Sequence, residues 1–252
     1  MFTRKSFSKH SNLALAALAV LLPLLGLTSF ARADQTKTDG ADRLNSATQV
    51  LQAVMGAPDK SIPEEVMQGA KCVGVVPRLI KGAFVFGGKH GRGVATCRLP
   101  NGTWSAPAFF AISGGSWGLQ IGVESVDLVM MIMNDNGMRH LLSNKFQVGG
   151  EASAAAGPVG RHAMAGVDWK AYTQMLTYSR SKGLFAGLSL GGSWIAQDKD
   201  STIAMYGRDR TNADVLEGRV GVPLSARKFL ATVRGSTLQA KGPAGLPAGK
   251  QQ

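Results

Sequence analysis

The chain has 252 residues, 44% of them hydrophobic, with 28 Lys and Arg against 16 Asp and Glu for a formal charge of +12. That length suits one large or two small domains, and no charged or Pro/Ser-rich linker divides it, so a single domain is preferred. The basic balance favours anionic surfaces, and the absence of any recognisable nucleic-acid-binding motif argues against nucleic acid as a partner.

The first 33 residues read as an export signal: Arg4, Lys5 and Lys9 form a basic start, Leu13 to Leu27 an apolar stretch, and Ala31-Arg32-Ala33 a small-residue cleavage site. Those 15 apolar residues span about 22 Å as a helix, short of the ~30 Å bilayer core, so a spanning helix is the weaker reading. Cleavage leaves a mature chain starting at Asp34, with the periplasm or the periphery of the envelope membrane as its expected place. Removing Arg4, Lys5, Lys9 and Arg32 leaves 24 basic against 16 acidic residues, still +8.

Leu44, Ala47, Thr48, Leu51, Val54 and Met55 recur at three- and four-residue spacing, which predicts a helix over Asp42 to Met55 with one apolar stripe. Gly56 and Pro58 stop it. Ser61-Ile62-Pro63-Glu64 has the form of a capping box opening a short helix to about Gly69. The pattern then switches to short Val- and Phe-rich runs, Cys72 to Val76, Ala83 to Gly87 and Val94 to Leu99, read as strands. Gly87 to Gly93 between them reads as a hairpin loop rather than a phosphate-binding one, since it lacks the G-x-x-x-x-G-K-[ST] form and a strand follows, and Pro100-Asn101-Gly102 reads as a turn. Ala106 to Ile112, Trp117 to Val123 and Val126 to Met133 continue as strands, the last nearly all apolar and so covered on both faces. Asn134 to Gly137 is a turn and Met138 to Ser143 a helical turn. Val148 to Ala156 is built of small residues that let backbones approach. Tyr172 to Ser179 and Leu184 to Ala196 add strands, and Ser225 to Arg234 a final helix. Gly235 to Gln252, rich in Gly, Pro and Ala, reads as a disordered tail. A faint echo links Phe110-Ala111 and Gly114-Gly115-Ser116-Trp117 to Phe185-Ala186 and Gly191-Gly192-Ser193-Trp194, and it reads as two Gly-Gly bends in a curved sheet. The fold class is therefore α+β, a curved antiparallel sheet or barrel flanked by a few helices.

Cys72 and Cys97 both lie on strand-like segments. They are either bridged, as an oxidising compartment permits, or two buried thiols. Gly114-Gly115-Ser116-Trp117-Gly118 matches the nucleophile-elbow pattern, but a helix must follow the Ser and the next segment is strand-like. Asp127 or Asp135 with His140 or His162 would complete a triad, and nothing ties them to Ser116. His90, His140 and His162 stand at no metal-ligand spacing, so no metal and no cofactor is expected. Arg78, Lys81, Lys89 and Arg92 fall on neighbouring turns and form a candidate basic patch. Glu124 and Asp127 are acids in an apolar block, either hydrogen-bonded in the structure or lining a cleft, with Arg161 or Lys145 as candidate partners.

The block Trp104 to Asn134, together with Cys72-Val73-Gly74-Val75-Val76-Pro77, Gly149 to Arg161 and Tyr178 to Gly187, resembles the SYLF-domain family over roughly Asp42 to Phe229. The resemblance implies a non-enzymatic domain that binds phospholipids, including phosphatidylinositol lipids in eukaryotic members, some of which, the yeast type among them, also bind actin. In those relatives lipid binding is associated with a basic amphipathic helix at the domain's start. Here Asp42 to Met55 has the apolar stripe with one cation, Arg43, which does not fit an interfacial helix. The expected partner is thus an anionic phospholipid or membrane surface met by the sheet end. The alternatives are an envelope protein for which the domain is a scaffold and, less favoured, a substrate for a serine hydrolase using Ser116.

Overall fold

The computed structural model describes residues 37–57, 61–84, 86–117, 122–158, 173–181, 184–186, 188–207 and 210–239. The expected signal peptide, Arg161, His162 and residues 240–252 of the expected tail lie outside these ranges. The architecture is α+β in one domain: a curled half-barrel sheet with helices against it.

A long antiparallel hairpin forms the centre, β1 (Cys72–Phe84) and β2 (Phe86–Cys97). Three short strands and a Gly-rich loop were expected here. Instead Gly87 to Gly93 is strand throughout, paired along its length with β3 (Ala108–Trp117) and, up to His90, with β1. The glycines serve packing rather than turning. A Cβ on Gly91 would lie 2.7 Å from Val76 Cγ1, and one on Gly93 would lie 2.6 Å from Phe110 Cζ and 2.7 Å from the Val75 carbonyl oxygen. Ser116 pairs with Gly87 inside β3, and the strand continues through Trp117, so among the described residues that serine sits in a paired strand.

Beyond the hairpin, β4 (Gly122–Ile132) pairs with β1, and β7 (Met175–Ser181) with β4. β9 (Ser193–Gln197) pairs with β3, and β5 (Lys145–Gln147) with β9. The path runs β5-β9-β3-β2-β1-β4-β7-β6, with β8 (Leu184–Ala186) on β7. These pairs are antiparallel except β6 (Ala154–Ala156) with β7, which is parallel. The echoed segments are neighbours, since Ser113 faces Trp194 and Gly114 faces Ser193. They are not equivalent bends: the sheet runs straight through Gly114-Gly115, whereas Gly191-Gly192 turns, with Gly192 at φ +72°.

Each central strand is buried on both faces, which explains the near-continuous apolar run of β4. One face, with Val73, Val75, Val94, Phe109, Val129 and Met131, packs under helix α1 (residues 37–55), α2 (Glu64–Gly69) and α6 (Arg227–Gln239). The apolar stripe of α1 supplies Leu44, Ala47, Leu51 and Val54, and α6 supplies Phe229, Leu230 and Val233. Burial of each of these side chains other than Ala47 stabilises by about 2 kcal/mol. The other face, with Val76, Leu79, Phe110, Ile112, Leu128 and Met130, is covered by Leu141 of α3 (Asp135–Leu142), Phe146, Leu190, and Val215 and Leu216 of α5 (Asn212–Leu216).

Several boundaries differ from the sequence reading for local reasons. α1 begins before Asp42, through Gly40, because that glycine packs against Met205 and Phe109. α2 has Pro63 as its N-cap and no side-chain cap, so the Ser61 capping box does not form. Asn134 caps α3 by accepting from the Gly137 N–H, fusing an expected turn and helical turn into one helix. α4 (Lys199–Tyr206) and α5 had no stripe to announce them; they start at Asp198 and at a Thr211/Asp214 capping box. α6 is preceded by a 3₁₀ turn, Leu224–Ala226, and runs to Gln239 with Ser236 and Thr237 buried, so residues 235–239 are helix rather than tail.

Cys72 and Cys97 face each other in the β1–β2 register with their sulfurs bonded, closing a loop of 25 residues. Replacing both by Ala should lower the unfolding free energy by about 3 kcal/mol in urea, as expected for loop closure of this length. Gly93→Ala should cost about 1–3 kcal/mol, because its methyl meets backbone and an aromatic ring rather than a flexible chain end. An unchanged urea midpoint in either variant would contradict the packing described.

Candidate functional site

The site lies where the helix-covered face of the sheet runs out beyond α1. It is a cleft of about 690 Å³ between Asp39, Asp42, Arg43 and Ser46 on α1 and Arg78, Ile80, His90, Arg92, Val123 and Ser125 on the sheet. Strand alternation explains the set: Ile80 pairs with His90 and with Ser125, so all three point to one side, and Arg92 and Val123 are two residues further along the same face.

Arg78 reaches this cleft through a break in the ladder. Val76 pairs with Leu128 and Leu79 with Val126, so Pro77 and Arg78 together oppose Asp127 alone. That is a β-bulge, and Arg78 sits in the left-handed region at φ 55°. Asp127 stabilises it by accepting the Arg78 N–H at 3.2 Å. The acid thus has a structural task rather than a place in the cleft lining.

The cleft is held together by one carboxylate. Asp198 Oδ2 accepts from Arg43 Nη1 at 2.9 Å and from Arg92 Nη2 and Nε at 2.8 and 3.0 Å. Ser201 Oγ donates to it at 2.9 Å and accepts from both arginines at 3.2 Å, while Ser201 N–H donates to Oδ1. The side chains of Arg43 and Asp198 are 8% and 9% exposed, and that of Arg92 is 41% exposed. Burial lowers the Arg43 guanidinium from its ordinary value and the charge of Arg92 adds to this, against the raising effect of Asp198. Burial alone would raise Asp198, but the Ser201 and Arg92 hydrogen bonds and the charge of Arg43 outweigh it, so the carboxyl stays below its ordinary value. Two guanidiniums share one carboxylate, so these three groups carry one surplus positive charge, which Asp39 on α1 partly offsets and Arg92 presents to the cleft.

The four-cation patch expected from sequence divides between the two faces. Lys81 and Lys89 pair in register and so point together to the face opposite the cleft. Lys81 forms a cross-strand ion pair with Glu124 at 3.1 Å, both partly exposed and worth under about 1 kcal/mol. Lys89 is buried, its Nζ 3.4 Å from the carbonyl oxygens of Ser189 and Gly191. Burial, then the neighbouring charge of Lys81, lowers its pKa. Only Arg78 and Arg92 share the cleft. Lys145 stacks over Trp194 at 4.4 Å rather than serving either acid. Arg43, Asp198, Ser201 and the apolar Ile80 and Val123 were not singled out as site residues from sequence. The one available signal was Arg43, a lone cation in an apolar helix, which sits 8% exposed. Among the described residues no group of three His, Cys, Asp or Glu is placed to hold a metal ion, and no helix is long and apolar enough to cross a membrane.

Comparison with known proteins places these features in context. Residues 113–236 match the family model described as "Ysc84: Las17-binding protein actin regulator". The chain is 37% identical over 180 residues to Protein YSC84 of Saccharomyces cerevisiae, covering 70% of this chain and 38% of that protein. It is 36% identical over 170 residues to SH3 domain-containing YSC84-like protein 1 of Rattus norvegicus, covering 67% and 50%. LAS seventeen-binding protein 3 of S. cerevisiae is 33% identical over 195 residues, 76% of this chain and 42% of its own. The chain therefore spans half or less of the length of these curated relatives.

Asp198→Asn should destabilise the fold by about 3 kcal/mol, because it leaves Arg43 buried opposite an uncharged group. Since the folded carboxyl lies below its ordinary value of 3.8, its stabilisation is present above that value and is lost as pH falls through the lower folded one. Chemical denaturation across the acid range should show the wild-type protein losing stability below about pH 4 by more than the Asn variant. Parallel curves would contradict the assignment.

Proposed function

This chain belongs to the SYLF family, and on that footing we propose that it is a non-enzymatic binding domain whose cleft takes the headgroup of an anionic phospholipid at the cell-envelope membrane. The observation that carries the reading is the juxtaposition of exposed Ile80 and Val123 with Arg78, His90 and Arg92 on one uncovered end of the sheet. Apolar side chains beside cations suit a surface that is apolar below and anionic above. Val123 is 80% exposed, which is unusual for Val on a core strand. The surplus charge of the Arg43–Asp198–Arg92 knot favours an anion in the cleft. Asp39 and Asp42 also line the cleft and offset part of that charge, so an anion is met by the side of Arg78 and Arg92. Export to the periplasm through the N-terminal signal is part of the same proposal, with bacterial envelope lipid as the natural anion there.

The family description, which speaks of Las17 binding and actin regulation, and the name of LAS seventeen-binding protein 3 favour a second reading in which the ligand is a protein and the domain is a scaffold. Those names describe binding and regulation rather than catalysis. The position of Ser116 within a paired strand gives a hydrolase reading no support.

Co-sedimentation of the protein with phosphatidylglycerol and with phosphatidylcholine vesicles separates the readings. Binding should occur to the former alone and weaken as salt rises. Arg78→Glu should reduce affinity by about thirtyfold, taking ~1 kcal/mol per unit of charge near the surface. Val123→Asp should weaken binding as well, and the fold should survive both changes because both positions are exposed. Undiminished binding of both variants would contradict the cleft as the site. Absence of binding to either vesicle would leave the protein-partner reading.

A further inference from the structure

The helix-covered face has a second concavity at its opposite end. Here β2 hands over to the turn at Pro100 to Gly102, across which Arg98 and Trp104 form an antiparallel bridge. Asn101 Oδ1 accepts from the Thr103 N–H at 3.0 Å and from Thr103 Oγ1 at 2.7 Å, fixing the turn. The Arg98 guanidinium lies over the Trp104 ring, 4.9 Å from its centroid, and Nη2 is 3.5 Å from the Gln68 carbonyl oxygen. α6 brings Arg234 and, one turn later, Thr237 to the same pocket of about 200 Å³.

None of the residues lining this pocket is acidic. Among the described residues, the ion pairs join other arginines and lysines, and neither Arg98 nor Arg234 takes part in one. The two cations come from separate elements and converge without a counter-charge. The Thr103 and Thr237 hydroxyl protons are already committed, to Asn101 Oδ1 and to the Arg234 carbonyl. Recognition therefore falls to the two guanidiniums, whose planar forks match the oxygens of phosphate. A carboxylate saturates one such fork, whereas a tetrahedral oxyanion has oxygens to offer two forks arriving from different directions. The indole floor holds one fork in place before any ligand arrives.

We propose that Arg98 and Arg234 form a binding site for a phosphomonoester or free phosphate group, independent of the cleft at the other sheet end. Arg92 and Arg98 are six residues apart on extended backbone, about 20 Å, so one headgroup does not reach both sites. The two possible sources of the group, soluble phosphate and a lipid bearing a terminal phosphate, are distinguished by experiment.

Isothermal titration of the protein with inorganic phosphate, at constant ionic strength set with chloride, reads the soluble source. Co-sedimentation with phosphatidic acid against phosphatidylglycerol vesicles reads the lipid source, since only the former carries a monoester. The expected result is saturable phosphate binding, or a preference for phosphatidic acid, weakened at least about tenfold by Arg98→Gln and by Arg234→Gln. Arg219→Gln, at a surface arginine paired with Asp214 and Glu217, should leave both unchanged. Arg234 is exposed on its helix, so its variant keeps the fold if Arg98→Gln, which loses the indole stack, does not. Arg78→Glu should leave the phosphate isotherm intact while it weakens vesicle binding, which separates this site from the cleft. Absence of both phosphate binding and a phosphatidic acid preference would overturn the proposal. So would either one persisting undiminished in Arg234→Gln.

Discussion

The Asp198 carboxylate is the point on which the arrangement turns. It ties together three elements that meet nowhere else in sequence: α1 through Arg43, 155 residues away, β2 through Arg92, and the first turn of α4 through Ser201. A buried carboxylate is costly unless its lone pairs are filled, and here Arg43, Arg92 and the Ser201 hydroxyl and N–H fill them. The helix that caps the core is thereby fixed at its N-terminal half, where Leu44 and Ala47 go under the sheet and Asp39 and Asp42 stay at the rim. Without that tie the cleft has no second wall. With it, an arginine is left only partly neutralised at the cleft's surface, so one feature both closes the fold and charges the site.

The second constraint is the two-sided burial of the sheet. Helices on one face and α3, α5 and loops on the other leave little of the central strands in water, except at the end where β1, β2 and β4 outrun α1. Alternation then decides which residues that end displays. It sends Ile80, His90, Arg92 and Val123 to the cleft, and Lys81 and Lys89 to the far face, where one is paired with Glu124 and the other is buried against carbonyls. The bulge at Pro77 and Arg78 adds a cation that strict alternation would not have placed there, and Asp127 keeps the bulge in shape.

Much of the frame was legible from local pattern. The stripe of α1 follows from a period of 3.6, the strand at β4 from an unbroken apolar run and the turn at Asn101 from its Pro-Asn-Gly signal, and together they give the α+β class. Glycine was the main source of error, because the residue looks the same whether it turns a chain or admits a neighbour. Gly91 and Gly93 are explained only by Val76, Leu79 and Phe110, which a linear reading does not bring near them. The cation patch failed for a related reason: which face a strand residue takes depends on register, and a register with a bulge does not follow from spacing alone. Arg43 was visible as a lone cation in an apolar helix, but its partner Asp198 lay in a segment with no pattern of its own. Short capped helices such as α4 and α5 are held by tertiary contact and carry too few residues for a periodic signal.

The measurement that tests the central claim most directly is hydrogen–deuterium exchange of the protein with and without phosphatidylglycerol vesicles. If the cleft is the lipid-facing surface, added vesicles should protect amides around residues 77–80, 90–92 and 122–125 and the first turns of α1. The far face around Ser189 and Gly191 should keep its exchange rate, and phosphatidylcholine vesicles should change neither. Protection confined to the far face, or none at the sheet end while the protein is vesicle-bound, would contradict the account.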